Sequence, residues 1–340
     1  MSTLHALVER LAAVDRTLPP GGGDVFARRL ARAVDDRRIV FASPVLAVAH
    51  GPALACADAD MRAALAGPCA QRDRLRRAAR LHPGVRLLFT DRMNAHDPAP
   101  HLGGYVSATP CGAVGLAEGE ACAFGHVDLD AFRVPRDRPV PVDLVRLAAT
   151  VTVLVRALDD AVESFLRRPP DAASARVTRS RRKIAVGVRG LPDGSPRACR
   201  LAREVVAFVN YTSKRASLGL ARSRGACPAV WDGRSRYADP AFLGRFADSG
   251  SRTVEAGRWT ALAEEIAVTG MLRHSATTAL PPTGPPLSPS TAAALRACVD
   301  EGVSVTVTLR TPATPGDVFA IWCDAWRRGC TNIAVRFGGC

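Results

Sequence analysis

Two cysteines, Cys111 and Cys122, lie eleven positions apart and are the residues of this chain whose types and spacing best suit redox chemistry. Cys111 follows Thr109-Pro110 and precedes Gly112. Because proline restricts the residue before it and glycine permits a sharp bend, Cys111 is predicted at the tip of a tight loop and Cys122 at the start of the next buried segment. Such a pair suits thiol redox or thiol radical chemistry, although both residues would also serve as small buried hydrophobes.

A second candidate site is the loop Pro281-Pro-Thr-Gly-Pro-Pro-Leu-Ser288, which precedes a helix predicted to begin near Ser290. Hydroxyl groups on a loop that leads into a helix N-terminus suit an anion such as phosphate. A third cluster, His96, Asp97 and His101, lies in a polar stretch. Neither helix periodicity nor a third strong ligand supports a metal site there, so we predict a polar loop and no metal.

The composition narrows the classes of partner and compartment. The formal net charge is +14, and only two of the 46 basic residues, Lys183 and Lys214, are lysines. A basic surface favours phosphorylated ligands, but no basic stripe is interleaved with aromatic residues, so we expect no nucleic-acid partner. Ten cysteines without a Cys-x-x-Cys pair or a secretory signal indicate a reducing cytoplasm and argue against a zinc finger. No apolar run approaches the roughly 20 residues that cross a bilayer, so no membrane partner is expected.

Predicted strands and helices alternate along the chain, which indicates an α/β fold. An N-terminal helical segment (1–37) is expected before one larger domain (38–340). The pattern predicts helices over 1–18, 26–34, 60–80, 142–167, 196–221, 259–272, 315–328 and from about 290, and strands within 38–51, 54–58, 85–90, 183–190, 275–280, 303–309 and 332–336.

The order of the motifs resembles the large, catalytic subunit of ribonucleotide reductase, most closely the adenosylcobalamin-dependent type. Thr109-Pro-Cys-Gly-Ala113 resembles the family's Asn-Pro-Cys-Gly-Glu finger loop, and Arg182-Lys-Ile-Ala-Val-Gly187 resembles its Arg-Lys-Ile-Gly-Leu-Gly strand. The other motifs that carry the resemblance lie at 41–56, 88–94, 122–129, 217–225, 273–284, 324–329 and 334–340.

The resemblance implies a reductase-like α/β barrel with a central finger loop, incomplete here. It implies a ribonucleoside-diphosphate reductase that makes deoxyribonucleotides with adenosylcobalamin, a ribonucleotide substrate and a thioredoxin-like reductant. Cys111 would become a thiyl radical that abstracts the ribose 3′-hydrogen, and Cys56 and Cys122 would form the redox dithiol. The remaining implied site residues are Thr109 in the finger loop, Pro282, Thr283, Gly284 and Ser288 at the substrate phosphate, and Ser43 and Ala113 at the substrate.

The chain departs from that family at the residues that complete the chemistry. Thr109 replaces an Asn and Ala113 replaces a Glu that would take the 3′-hydroxyl proton, and such general base assistance is worth ~10²–10⁴ in rate. Pro285 and Pro286 remove two N–H donors from the phosphate loop.

The stretch between Cys56 and Cys111 is also much shorter than is usual for the family. Alternatives therefore stay open: a divergent reductase, a paralogue that binds nucleotide or a protein partner without turnover, or a repurposed nucleoside radical enzyme. A shortened barrel would expose strand edges, so a homodimer or a covering partner is expected.

Overall fold

A computed structural model of the chain describes residues 3–20, 23–48, 53–82, 84–135, 140–282, 287–310 and 314–338, with the side chains of 42–45, 47, 48 and 310 excluded. The strands within these described ranges form three sheets. In chain order the strands are β1 (Ile39–Val48), β2 (Ala53–Cys56), β3 (Arg86–Phe89), β4 (Ser107–Ala108), β5 (Gly115–Leu116), β6 (Ala121–Asp128), β7 (Ile184–Arg189), β8 (Thr306–Arg310) and β9 (Asn332–Gly338).

Helices separate most of these strands. They are α1 (Thr3–Asp15), α2 (Gly23–Asp35), α3 (Asp58–Ala66), α4 (Ala70–Leu81), α5 (Thr90–Asn94), α6 (Leu144–Arg167), α7 (Ala172–Arg181), α8 (Pro196–Arg224), α9 (Pro228–Trp231), α10 (Pro240–Gly244), α11 (Ala256–Thr269), α12 (Pro289–Arg296) and α13 (Pro315–Arg327). Short 3₁₀ turns lie at Pro100–Leu102, Leu129–Phe132, Arg236–Ala238 and Ala247–Ser249.

The first sheet has the order β1-β6-β7, in which β6 pairs antiparallel with β1 and parallel with β7. Pairing between β1 and β6 is irregular between Phe41 and Leu46, a stretch that contains Pro44. Proline has no N–H to give to a ladder, which accounts for the break in register. The predicted strand, turn and second apolar run within 38–51 are thus one long irregular strand as far as Val48.

The second sheet has the order β2-β3-β9-β8, with parallel β2-β3 and β8-β9 pairs and an antiparallel β3-β9 pair. The third is the two-residue ladder between β4 and β5. Among the described residues the sheets do not close into a barrel, which is compatible with an incomplete one. The α/β class predicted from the sequence is confirmed.

The long helix α6 forms the centre of the core. Its apolar positions Leu147, Val151, Leu154 and Leu158 are fully buried, and the methyl groups of Leu154 and Leu158 lie over Gly125 of β6. Helices α1 and α2, within the predicted segment 1–37, bury Leu11 and Leu30 in the same core as α6. The division at residue 37 stays a prediction, because shared burial does not define a domain boundary.

Two predicted elements differ from the structure. The single helix predicted over 60–80 is two helices, α3 and α4, because Gly67 and Pro68 separate them. The strand predicted over 275–280 forms only isolated bridges, Val186 with Thr278 and Leu280 with Val303. Pro281 and Pro282 follow directly and cannot extend a ladder. None of the described helices is both long and apolar enough to span a membrane.

Candidate functional site

Cys111 lies in the turn of the hairpin that β4 and β5 form, as the sequence predicts. Thr109 closes this turn: its N–H donates to Val114 O (2.9 Å) and its carbonyl accepts from Gly112 N (2.7 Å). The Thr109 hydroxyl also accepts from Val114 N at 3.3 Å. Gly112 has φ +73°, and a Cβ there would lie 2.5 Å from Arg86 Cδ and 2.8 Å from Asn332 Oδ1. Glycine is therefore required by both conformation and space.

The structure places Cys111 and Cys122 at the same small apolar cluster. Cys111 is partly exposed, its Sγ lies 3.3 Å from Thr109 Oγ1, and it packs against the small apolar cluster that contains Cys122. Cys122 is the second residue of β6 and is fully buried. Burial raises the pKa of the Cys122 thiol well above its usual range, although nearby Lys183 acts in the opposite direction. Cys122 is thus held as a neutral thiol.

Cys56 is placed elsewhere. It ends β2, in the sheet that does not contain Cys122, and belongs to a different apolar cluster. Burial, followed by the charge of Asp60, raises the pKa of Cys56 to about 12. The cysteine pair that the resemblance implies is therefore split between two sheets in this structure.

Glu301 supports the hairpin from behind. Its Oε2 accepts from Gly115 N (3.1 Å) and its Oε1 accepts from the Tyr105 hydroxyl (3.0 Å). The next residue also contacts the turn, because Gly302 N donates to Ala113 O at 2.6 Å. Ser304 Oγ donates to Cys111 O at 2.8 Å. The segment 301–304 therefore fixes the backbone on both sides of Ala113.

Both lysines of the chain are fully buried beside this segment. Lys183 Nζ lies 3.3 Å from Glu301 Oε1 and donates to Gly115 O at 2.6 Å. Lys214 Nζ lies 2.6 Å from Asp300 Oδ2. Sequence reasoning did not assign Glu301, Asp300 or the lysines to the site. The available signal was Lys183 itself, a charged residue directly before an apolar strand in a chain whose only other lysine is Lys214.

A small cavity of about 10 Å³, roughly the room that one water molecule needs, adjoins the turn. The Ala113 side of the turn faces this space, which would have to receive the longer side chain that the family carries there. Its lining consists of Met93, Gly112, Ala113, Gly115, Arg296, Glu301, Gly302 and Thr331. Arg296 is the cation in this lining, and sequence reasoning also missed it.

The predicted phosphate loop is only partly described. Thr283, Gly284, Pro285 and Pro286 lie outside the described residues, as does the side chain of Ser43, while Pro282 is exposed. Ser288 caps α12, its Oγ accepting from Thr291 N at 3.3 Å. The Asp193 carboxylate accepts from Ser288 N at 3.0 Å and also bonds Thr291 Oγ1. A side-chain carboxylate therefore already lies at this helix N-terminus.

The polar stretch 96–101 contacts charged side chains elsewhere in the chain through Asp97 and His101. Asp97 is fully buried and binds Arg181, with Nη1 2.7 Å from Oδ1. His101 Nε2 lies 2.8 Å from Asp232 Oδ2. Across the described ranges, no group of three or more His, Cys, Asp or Glu side chains is arranged to hold a metal ion.

Ser217, His274 and Asp159 form a hydrogen-bonded chain that resembles a hydrolase triad. Ser217 Oγ lies 2.9 Å from His274 Nδ1, and His274 Nε2 lies 3.2 Å from Asp159 Oδ1. All three side chains are fully buried, and Asp159 also binds Arg182, Arg224 and Arg273. A nucleophile needs access to its substrate, and the buried Ser217 has none. The three hydrogen-bonded side chains are therefore part of a buried ionic network that joins α6 to α8.

A scan against protein families matches residues 82–285 to the barrel domain of ribonucleotide reductase. The chain belongs to this family. The match covers the hairpin with Cys111, strands β6 and β7, and both buried lysines.

Curated relatives agree with the family. The chain is 33% identical over 156 residues to a vitamin B12-dependent ribonucleoside-diphosphate reductase of Thermoplasma acidophilum, covering 43% of this chain and 20% of the relative. It is 29% identical over 326 residues to proteins of the same name from two strains of Mycobacterium tuberculosis, covering 78% of this chain and 46% or 45% of the relatives. The chain thus spans less than half the length of these ribonucleotide reductases.

Proposed function

We propose that this chain reduces ribonucleotides, with Cys111 as the position of a thiyl radical and Cys122 as one of the reducing thiols. The observation that carries the proposal is the placement of Cys111 in a fixed turn against the cluster that contains Cys122, in a chain of the reductase barrel family. The relatives that share these segments are named ribonucleoside-diphosphate reductases, which favours a diphosphate substrate.

The resemblance implies that the ribose is reduced at its 2′ carbon by two thiols after radical activation. The thiyl radical at Cys111 takes the 3′-hydrogen of the ribose and returns it at the end of the cycle. Two further thiols give up two hydrogen atoms, the 2′-hydroxyl leaves as water, and the thiols join as a disulfide. Cys122 supplies one of them. Cys56 lies in another sheet, and we propose that the second thiol comes either from Cys56 or from an external dithiol such as a thioredoxin-like reductant.

The cofactor in the relatives' names is vitamin B12, and we propose adenosylcobalamin for this chain. When bound, it would supply the one-electron oxidation that removes a hydrogen atom from a thiol. Hydrogen removal from a thiol requires that the thiol be accessible to the cofactor. The turn meets this requirement, because Pro110 is exposed and Cys111 is partly exposed. These two residues would face the cofactor, and the buried Cys122 would not.

The site lacks a carboxylate that could act as a general base at position 113. Ala113 carries no carboxylate, and the carboxylate of Glu301 in the same cavity is already bonded to Gly115, Tyr105 and Lys183. Proton transfer from the 3′-hydroxyl therefore lacks a dedicated acceptor at position 113. We expect turnover to be slower than with a loop Glu by a factor of ~10²–10⁴.

The test is an assay of the purified chain with adenosylcobalamin, a dithiol and each ribonucleoside diphosphate in turn. Deoxynucleotide formation that is lost in Cys111→Ser would support the proposal. Cys199→Ser is the matched control, because Cys199 is also partly exposed but lies on α8. Product from Cys111→Ser at the wild-type rate would refute the role of Cys111.

A second function, nucleotide binding without turnover, is favoured by the loss of the carboxylate at Ala113 together with the separation of Cys56 from Cys122. It predicts that a ribonucleoside diphosphate binds equally well to the wild type and to Cys111→Ser. It also predicts that neither protein forms deoxynucleotide, even with excess dithiol and cofactor.

We also propose that another copy of the chain or a partner protein covers part of its surface. Among the strands that the structure describes, β1, β2 and β8 lie at sheet edges, and Val106 beside the hairpin is 64% exposed. Unpaired edges favour association with another chain. Sedimentation equilibrium that finds only monomer over a wide concentration range would contradict the homodimer.

A further inference from the structure

Lys183 links the strand beside Cys122 to the hairpin that carries Cys111. Its Nζ donates to Gly115 O at 2.6 Å, and Gly115 belongs to β5, the second strand of the hairpin. Lys183 itself directly precedes β7, which pairs with the strand β6 that contains Cys122. One fully buried side chain therefore reaches from the first sheet to the hairpin.

The register of β6 and β7 places Lys183 next to Cys122. Phe124 of β6 pairs with Ala185 of β7, and both belong to the small apolar cluster that contains Cys122. Cys122 and Lys183 lie two residues earlier along their strands, and side chains two residues apart point to the same face of a sheet. Ala123 N also donates to Lys183 O at 3.3 Å, which extends the pairing to this point. The two side chains are therefore neighbours on one face of the sheet.

Two carboxyl groups and an aromatic ring hold the ammonium group of Lys183 in place. Its Nζ lies 3.4 Å from Glu120 Oε1 and 3.3 Å from Glu301 Oε1, and 3.8 Å from the centre of the Tyr105 ring. The Tyr105 hydroxyl donates to the same Glu301 oxygen at 3.0 Å. All four side chains are buried. Moving the ammonium group would separate it from both carboxyl groups, which is costly for buried charges.

Gly115 is held at both of its backbone polar groups. Its carbonyl accepts from Lys183 Nζ, and its N–H donates to Glu301 Oε2 at 3.1 Å. Glu120 contributes less charge, because burial raises its pKa and so favours its neutral form. Lys183 and Glu301 therefore form an ion pair around Gly115, and we call these two side chains the Gly115 clamp.

The hairpin needs such support. The ladder between β4 and β5 has only two pairs of residues, and Ala108 with Gly115 is the pair next to the turn. A hairpin this short is at best marginally stable alone. Fixing the backbone of Gly115 therefore fixes one end of the turn that carries Cys111.

We propose that Lys183 is a positioning residue of the redox site, which holds the turn with Cys111 against Cys122 through the Gly115 clamp. Its importance for reduction rests on the function proposed above, whereas the clamp itself can be measured without substrate. Lys183→Met keeps a long apolar side chain but removes the charge and the donor to Gly115. Lys183→Arg keeps both a charge and donors.

The first test is hydrogen exchange, followed by mass spectrometry of peptides from the hairpin (107–116) and from α6. In Lys183→Met, exchange in the hairpin should be roughly tenfold faster than in the wild type, while exchange in α6 stays unchanged. Lys183→Arg should restore most of the protection. Unchanged hairpin exchange in a folded Lys183→Met, or equal acceleration in α6, would overturn the proposal.

Lys214→Met is the matched control, because Lys214 is the other fully buried lysine and its Nζ bonds Asp300 and Tyr237. Its hairpin should exchange as in the wild type. If Lys214→Met accelerated hairpin exchange as much as Lys183→Met, the loss of any buried cation would explain the result, and the proposal would be wrong.

The second test keeps Lys183 and so stays informative if Lys183→Met does not fold. The chain has only two lysines, so protein labelled with ¹⁵N-lysine gives one side-chain amino signal for each, and Lys214→Arg assigns them. Alkylation of Cys111 with iodoacetamide should shift the Lys183 signal and leave that of Lys214 in place. Cys111→Ser treated in the same way is the control. An unchanged Lys183 signal, or equal shifts of both lysines, would overturn the proposal.

The third test measures reduction of a ribonucleoside diphosphate with adenosylcobalamin and a dithiol. Lys183→Met should lower kcat by roughly 10²-fold, as misplacement of a reacting group does, with little change in KM, and Lys183→Arg should recover most of the rate. A raised KM with unchanged kcat would show that Lys183 serves substrate binding, which contradicts the proposal. If the wild type forms no product, the proposed function fails, and the exchange and amino-signal results still decide whether Lys183 holds the turn.

Discussion

Lysine and arginine have different roles in this chain. The two lysines are fully buried and each neutralises one of two adjacent carboxylates, Asp300 and Glu301. A compact ammonium fits such a position, whereas the larger guanidinium needs several acceptors in a plane. Arg182 meets that requirement with Asp159 and Glu163. Arg296 forms no such ion pair in the part of the chain that the structure describes, and its Nη1 donates to Val299 O instead.

The thiols should differ in reactivity according to their exposure. Among the nine described cysteines, Cys69, Cys111 and Cys199 are partly exposed, and the others are buried. Alkylation of the native protein with iodoacetamide, followed by peptide mass spectrometry, should label these three first. Cys122 should react slowly, because burial raises its pKa and the thiolate is the nucleophile. Labelling in denaturant, where every cysteine is exposed, is the control. If Cys122 of the native protein were labelled as fast as Cys111, the result would be inconsistent with the structure.

At the scale of elements, the hairpin that carries Cys111 depends on local sequence and on distant support. Thr109-Pro-Cys-Gly112 predicts the tight turn, and the structure has it between β4 and β5. Its supports, Lys183 and Glu301, are separated from Gly115 by long stretches of chain. Residue types and spacing do not report which of the many charged side chains fold back onto a turn, so this part of the site was not predictable.

Gly112 provides a test of how tightly the turn is packed. Gly112→Ala should destabilise the protein by roughly 2–4 kcal/mol, because it combines positive φ with contacts to Arg86 and Asn332. Gly103 also has positive φ, +90°, but nothing lies within 4 Å of a Cβ there. Gly103→Ala should therefore cost only roughly 1–2 kcal/mol, the strain alone. Urea denaturation measures the free energy of unfolding of both variants. Equal decreases for Gly112→Ala and Gly103→Ala would show that space around Gly112 is not limiting.

At the scale of the molecule, the alternation of apolar runs was enough to predict the α/β class and the central helix α6. It did not predict how the strands divide among sheets. Cys56 shows the consequence: its position in a buried strand was predictable, yet its assignment to the sheet without Cys122 depends on long-range pairing with β3. Local patterns do not encode such pairing, because any strand of suitable length offers the same backbone donors and acceptors.

Buried histidines should make the stability of the protein depend on pH. Burial, and secondarily Arg189, lowers the pKa of His126 to about 4. Because the unfolded chain binds the proton near pH 6.5 and the folded chain does not, this contribution is complete above pH 6.5 and is lost as pH falls towards 4. Between pH 7 and 5 the wild type should lose about 2 kcal/mol more than His126→Gln. Chemical denaturation at both pH values measures this, and parallel profiles would contradict the burial of His126.

The central claim is that Cys111 is the thiol that exchanges hydrogen with the ribose. The most direct measurement uses a ribonucleoside diphosphate deuterated at the 3′ carbon, with adenosylcobalamin and a dithiol. We expect deoxynucleotide to form more slowly from this substrate than from the undeuterated one, and we expect Cys111→Ser to form none. Product formation by Cys111→Ser, or equal rates from the two substrates, would contradict it.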